Sequence, residues 1–255
     1  MLYDDLILIV EDLMVDFNGF KALKNVNMYV YKGELRFLIG PNGAGKTTLL
    51  DVICGKVKPI KGKVLFRKNI NLLSLEPHKI CRVGISRKFQ NPSIFSNLSV
   101  YENLELAFPM DRGFFSSLLN KLKPEAKDKI EEILEMVHLT HRRNELAKNL
   151  SHGEKQWLEI GMTLVQDPYL LLVDEPVAGM TGKEREKTGL ILEKISKKCS
   201  VVVVEHDMNF VETFSKAVTV MHDGQILCEG TFEKIKNDPY VIEVYLGRGG
   251  GKFNA

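Results

Sequence analysis

The hydrophobic rhythm of the chain changes several times, and each change marks an element. After the apolar run LILIV (residues 6–10), Leu13, Val15 and Phe17 alternate with polar neighbours, and Val26, Met28 and Val30 do so again. A period of two predicts half-buried strands, and Asn18-Gly19 between them predicts a tight turn, so an antiparallel sheet is expected at the N-terminus. Residues 34–39 (ELRFLI), 170–173 (LLLV) and 201–204 (VVVV) do not alternate. Short unbroken apolar runs are expected of strands buried on both faces, as in a parallel sheet. Further strands are expected at 64–66, 84–89, 218–221 and 226–228, the last two joined by a hairpin at Asp223-Gly224.

Helical periodicity predicts α-helices over 46–54 (closed by Gly55), 72–83, 183–196 and 238–246. Residues 99–157 also read as helical. There Pro124 can start a helix, and Ile130, Ile133, Leu134 and Val137 form its apolar face. Residues 109–122 are ambiguous, with Phe114 and Phe115 fitting a core or a partner surface. Ser151 is the expected N-cap of a helix with Glu154 at the capping-box position and Leu158, Met162 and Val165 on its apolar stripe. The block interrupts the α/β pattern. We therefore expect one α/β domain, with core and β-subdomain from residues 1–90 and 165–246, an inserted helical subdomain over 91–164 and a flexible tail over 247–255.

Composition narrows the function classes. A chain of 255 residues can bury a large core. Its net charge of +2, from 35 basic and 33 acidic side chains, argues against a polybasic surface for nucleic acid. The N-terminus is acidic where a secretory leader is basic, and no run of 18 apolar residues occurs, so a cytoplasmic location is expected. Cys54, Cys81, Cys199 and Cys228 are widely spaced and are expected to be small buried hydrophobes of a reducing compartment.

The chemistry centres on Gly40–Thr48, GPNGAGKTT, which fits G-x-x-x-x-G-K-[ST] between an expected strand and an expected helix. In that setting the backbone of Gly40, Pro41, Asn42, Gly43, Ala44 and Gly45 can wrap phosphates, and the helix N-terminus adds partial positive charge. Lys46 is expected to reach the β- and γ-phosphates, Thr47 to place its hydroxyl on Mg²⁺, and Thr48 to complete the loop. Binding of a nucleoside triphosphate follows. Asp174-Glu175 ends one apolar strand and His206 follows another, at the carboxyl ends where open α/β sheets bind ligands. Phe17, beside a turn, fits either an adenine-stacking aromatic or a core residue of its strand. Gln90 alone carries no signal. Ile94 and Phe95, in a loop with Pro92 and polar neighbours, are expected to meet a partner surface, with anchoring of the helical block as the alternative.

Taken together, GPNGAGKTT, Gln90, LSHGE (150–154), LLLVDEP (170–176) and His206 resemble the nucleotide-binding subunit of ABC transporters over essentially the whole chain. That family's signature is LSGGQ. Leu150, Ser151 and Gly153 match it, whereas His152 and Glu154 depart, and Glu154 weakens attraction for triphosphate unless it points away. The resemblance implies ATP and Mg²⁺ as cofactors, with Phe17 stacking on adenine, Asp174 and Gln90 assisting Thr47 at the metal, Glu175 as general base and His206 on the γ-phosphate. It further implies that Ser151, Gly153 and the neighbouring Glu154 meet nucleotide held by a second ABC ATPase subunit, in a homodimer or heterodimer. Thr181 stands where many relatives carry an Asp-ended loop. Expected partners are transmembrane permease subunits and a periplasmic or extracellular solute-binding protein, with no nucleic acid, at the inner face of the membrane. GISRKFQ, LSHGEKQWLEIGM, EPVAGMT, VVVVEHDM and NDPYVIEVYLGR resemble more narrowly the ATPases of urea uptake, a group close to those for branched-chain amino acids. A lipopolysaccharide-export ATPase is a further alternative. A soluble ABC protein acting on DNA or ribosomes would need a long coiled coil or two cassettes, which do not fit this length.

Overall fold

A computed structural model describes residues 5–88, 93–109 and 124–246. Strands β1 (Leu6–Phe17) and β2 (Phe20–Tyr31) pair antiparallel across Asn18 and Gly19, both at positive φ as a two-residue hairpin turn requires. Strand β3 (Leu35–Ile39) runs into the glycine-rich loop and helix α1 (Lys46–Ile53). Strands β4 (Lys61–Phe66) and β5 (Ile70–Asn71) then join the first two in a sheet of order β2-β1-β4-β5. β4 starts three residues before the expected strand, so part of the basic loop is ladder. Gly62 permits this, because a Cβ there would stand 2.6 Å from the Leu13 Cα of β1.

The helix expected over 72–83 is divided. A 3₁₀ turn covers Leu72–Ser74, and α2 begins only at Pro77 (Pro77–Arg82). Proline lacks the N–H that a continuous helix needs and keeps the preceding Glu76 extended, at ψ 151°. Strand β6 (Ile85–Lys88) follows. Helices α3 (Val100–Ala107), α4 (Pro124–Met136) and α5 (His152–Leu164) pack on one another. Ser99 with Glu102, and Ser151 with Glu154, form reciprocal capping boxes at α3 and α5. Gly161 lets α5 approach closely, since a Cβ there would meet Leu104 at 3.1 Å and Ile133 at 3.2 Å.

The chain then alternates β7 (Leu170–Asp174), α6 (Gly182–Ser196), β8 (Ser200–Val204), α7 (Met208–Phe214), β9 (Ala217–His222) and β10 (Gln225–Gly230), ending in α8 (Phe232–Lys236) and α9 (Pro239–Leu246). Helices α7 and α8 are not among the elements expected from the pattern. The second sheet has the order β10-β9-β3-β8-β7-β6, parallel except for its β10 edge.

Two cores explain the unbroken apolar runs. Val202 and Val204 of β8 pack with Leu38, α1 and the antiparallel sheet, while Val201 and Val203 pack with Phe37 and helices α3 to α7. With both faces covered, every residue of VVVV is buried, each contributing about 1.5–3 kcal/mol relative to exposure. Cysteine usage departs from expectation: Cys199 is buried, Cys54 and Cys228 are half-buried, and Cys81 is exposed on α2. Residues 89–92, 110–123 and 247–255 lie outside the described residues, and with them Gln90, Phe114, Phe115 and the tail. No helix among the described residues is long and apolar enough to cross a membrane.

Candidate nucleotide site

The loop after β3 is shaped by backbone that comes too close for side chains. Gly40 has φ 150°, and a Cβ there would stand 2.1 Å from the Met221 carbonyl oxygen of β9. Gly45 has φ 100°, and its Cβ would meet the Ala22 carbonyl oxygen at 2.8 Å. These are contacts with rigid backbone, so glycine is required at both. The β9–β10 turn braces the loop: the Gly224 amide donates to the Ala44 carbonyl at 3.1 Å, and the Lys24 amide of β2 donates to the Gly224 carbonyl at 2.7 Å. Lys46 folds back, donating from Nζ to the carbonyls of Gly40 (2.7 Å) and Pro41 (3.0 Å). Burial lowers its pKa, and the nearby Glu175 and Asp174 carboxylates partly offset that shift.

Asp174 closes β7. Its Oδ2 accepts from Arg87 Nη2 at 2.9 Å, and Arg87 Nη1 donates to Asp51 Oδ1 of α1 at 2.6 Å. Arg87 thus ties β6, β7 and α1 together beneath the loop. Sequence reasoning missed it, because a single arginine in an expected strand has no motif. Glu175 follows at φ 46°, a conformation that costs a non-glycine residue on the order of 1 kcal/mol. Its amide donates to the Val204 carbonyl of β8 at 2.9 Å, which fixes the turn. His206 Nδ1 lies 3.8 Å from Glu175 Oε1. Glu205, also missed, is buried and accepts from the amides of Val177 (3.2 Å), His206 (2.9 Å) and Asp207 (3.3 Å), joining the loops after β7 and β8. Burial pushes its carboxyl up despite those donors.

Phe17 is 48 % exposed at the end of β1, so the core alternative does not hold. Ile94 packs against the core, whereas Phe95 is 53 % exposed. The loop carrying it is anchored instead by the buried Asn103, which accepts from the Phe95 amide (2.7 Å) and donates to the Phe95 carbonyl (3.0 Å).

Lys46, Asp174, Glu175 and His206 therefore gather at the carboxyl ends of β3, β7 and β8. Ser151, Gly153 and Glu154 contact a different set. Glu154 turns back onto its own helix, accepting from the Ser151 amide at 2.8 Å and pairing with Arg142 at 3.3 Å. The charge at the departed signature position is thus spent on a cap and an arginine. His152 Nε2 lies 3.1 Å from the Ala178 carbonyl oxygen, joining the start of α5 to the loop after Glu175. Thr181 is the N-cap of α6, with Glu184 as its capping-box partner. Further along, Trp157 of α5 donates from Nε1 to Thr188 Oγ1 of α6 at 2.8 Å.

Known proteins place this architecture. Residues 23–178 match the ABC transporter family, and residues 225–250 match a C-terminal family described as branched-chain amino acid ATP-binding cassette transporter. The second match contains NDPYVIEVYLGR, one of the segments that resemble the urea group, and so this segment speaks for the neighbouring branched-chain amino acid group instead. The chain is 37 % identical over 250 residues to the high-affinity branched-chain amino acid transport ATP-binding protein LivG of Escherichia coli (strain K12), covering 94 % of this chain and 98 % of that one. It is 35 % identical over 252 residues to the probable LivG of Methanocaldococcus jannaschii, covering 94 % and 97 %. A crystal structure of the ADP conformation of an ATP-binding cassette of an ABC transporter superposes with a TM-score of 0.83 at 33 % identity, over 95 % of this chain and 99 % of the other. A dimeric bacterial ABC transporter cassette superposes at 0.72 with 26 % identity, over 88 % and 98 %. The loop, the strand-end carboxylates and these likenesses agree: the chain belongs to the ATP-binding, ATP-hydrolysing subunits of the ABC transporter family.

Proposed function

We propose that Lys46, Thr47, Asp174, Glu175 and His206 form the ATPase centre of an importer, with Glu175 as general base. The observation that carries the reading is the position of Glu175: directly after Asp174, held in a left-handed turn by Val204, with His206 3.8 Å away. Water attacks the γ-phosphorus of ATP, the bond to the β-γ bridging oxygen breaks, and ADP, phosphate and a proton are released. Glu175 orients the water and accepts its proton; Lys46 and the loop amides neutralise phosphate charge; His206 contacts the γ-phosphate. The Thr47 hydroxyl and the Asp174 carboxylate are hard oxygen donors that fit Mg²⁺, which when bound screens the β- and γ-phosphates. Gln90 is proposed as a third group at that metal, and Phe17, exposed at a strand end, as the adenine platform. Ser151 and Gly153, carried by the helical segment 91–164, cap nucleotide on a second ATPase subunit. Glu175→Gln should retain ATP binding, lose nearly all turnover and trap an ATP-dependent dimer in light scattering. Turnover near the wild-type rate would sink the assignment.

The solute we propose is a branched-chain amino acid, supported by the LivG relatives and by the C-terminal match. Urea stays as a second reading on GISRKFQ, LSHGEKQWLEIGM and EPVAGMT. The subunit works at the inner face of the membrane with permease subunits and a solute-binding protein, and the exposed Phe95 docks a permease helix. The test is ATPase activity of the complex rebuilt in lipid. Leucine, isoleucine or valine should stimulate it and urea should not; the reverse pattern overturns the choice of solute and leaves the ATPase assignment intact.

A further inference from the structure

One carboxylate gathers the donors at the start of α5 and the start of α6. Glu184 Oε1 accepts from Ser151 Oγ at 3.1 Å. Glu184 Oε2 accepts from the Thr181 amide at 3.0 Å and from the Thr181 hydroxyl at 2.8 Å. The Gly153 amide also hydrogen-bonds this carboxylate, and a Cβ on Gly153 would stand 2.5 Å from Oε1. The bare glycine therefore admits the carboxylate to the helix end. The Thr181 amide first, then the Thr181 and Ser151 hydroxyls and the Gly153 amide, hold the Glu184 carboxyl below the usual range. Helix α5 runs through His152–Leu164, so its first-turn amides and dipole favour an anion at that end. The chain's own anion sits there.

We propose that Glu184 is a placeholder for the γ-phosphate of the nucleotide carried by a second ATPase subunit, and that closure around ATP must displace it from Ser151 and Gly153. The inference rests on the reading above, in which Ser151 and Gly153 cap the neighbour's nucleotide. A phosphate cannot take the same donors while a like charge remains hydrogen-bonded to them. ADP lacks the γ-phosphate and leaves Glu184 in place. Because Glu184 also caps α6 through Thr181, its displacement moves the loop that follows Glu175. Glu184 thereby sets the ATP threshold for closure.

The test places Glu184→Gln in the Glu175→Gln background and follows ATP-dependent association by light scattering, with the chain alone and mixed with the second ATPase subunit of its complex. Glutamine preserves the capping box but carries no charge. Since charge-assisted hydrogen bonds are about twice as strong as neutral ones, the ATP concentration for half-maximal association should fall about tenfold, with ADP inert in both proteins. Thermal melting confirms that the variant is folded. Should glutamine melt early, Glu184→Ala gives the same readout, with a lower half-point expected. An unchanged or higher half-point in a folded variant overturns the proposal. Absence of association in Glu175→Gln itself removes the reading of Ser151 and Gly153, and the placeholder with it. Association in the parent with no shift removes the placeholder alone.

Discussion

Replacing Lys88 with methionine should cost this protein more stability than almost any other conservative exchange. Lys88 ends β6, and its side chain is fully buried. Its Nζ lies 3.5 Å from Glu159 Oε2 on α5, which is long for a hydrogen bond and makes the contact chiefly Coulombic. Glu159 Oε1 accepts from the Ser93 amide at 3.2 Å. Burial lowers the Lys88 pKa and raises that of Glu159, and in each case the opposite charge only partly offsets it. Both charged forms are thus costly in the fold, and each is the other's largest compensating charge. Lys88→Met strands the carboxylate, a loss of about 3–5 kcal/mol, which for a chain of this size lowers Tm by roughly 6–20 °C. Lys88→Met with Glu159→Gln removes both charges and should recover all but about 1–2 kcal/mol. Urea and thermal unfolding can be followed by Trp157, the single tryptophan of the chain, on the same helix as Glu159.

The pH dependence has a definite sign. With its folded pKa below 10.5, Lys88 binds its proton more weakly in the fold, so stability rises with pH between the folded value and 10.5. With its folded pKa above 4.5, Glu159 contributes stability below 4.5 that is lost as pH rises through the folded value. At neutral pH both terms oppose folding, and the double variant should lose the slope above pH 4.5 that Glu159 causes and the slope below pH 10.5 that Lys88 causes. A single variant costing less than about 1 kcal/mol, or as much as the double, refutes the coupling.

Phe17→Ala should weaken ATP binding about tenfold, the loss of one stacking contact, and leave the melting temperature unchanged because the ring is exposed; titration with a fluorescent ATP analogue and a melt separate that from a packing role. Thr188→Val leaves Trp157 Nε1 without its acceptor and should cost about 1–3 kcal/mol, with a shifted tryptophan emission maximum at equilibrium. Gly40→Ala forces a Cβ to within 2.1 Å of the Met221 carbonyl oxygen and should abolish nucleotide binding while far-ultraviolet dichroism keeps its shape, since the clash is confined to the loop and β9; retained affinity would show that the loop can shift.

What the sequence determined by itself is local. The hairpin at Asn18-Gly19, the cap at Ser151, the phosphate loop and the carboxylates after an apolar run each depend on neighbours a few positions away, so their spacing survives in the linear text. Even the doubly buried strands are legible, because a strand covered on both faces admits no polar alternation. Where local rules compete, the pattern misleads: residues 72–83 have helical spacing, yet Pro77 divides them. The tertiary structure alone decided which distant groups meet. Strand order sets β6 beside β7, and only then does Arg87 reach Asp174, 87 residues away, and Asp51 on α1. The packing of α5 on β6 and its closeness to the start of α6 bring Lys88 to Glu159 and Glu184 to Ser151. None of these pairs has a sequence signature, because an ion pair or a capped helix end requires only that two side chains arrive at one place, and chain topology decides where they arrive.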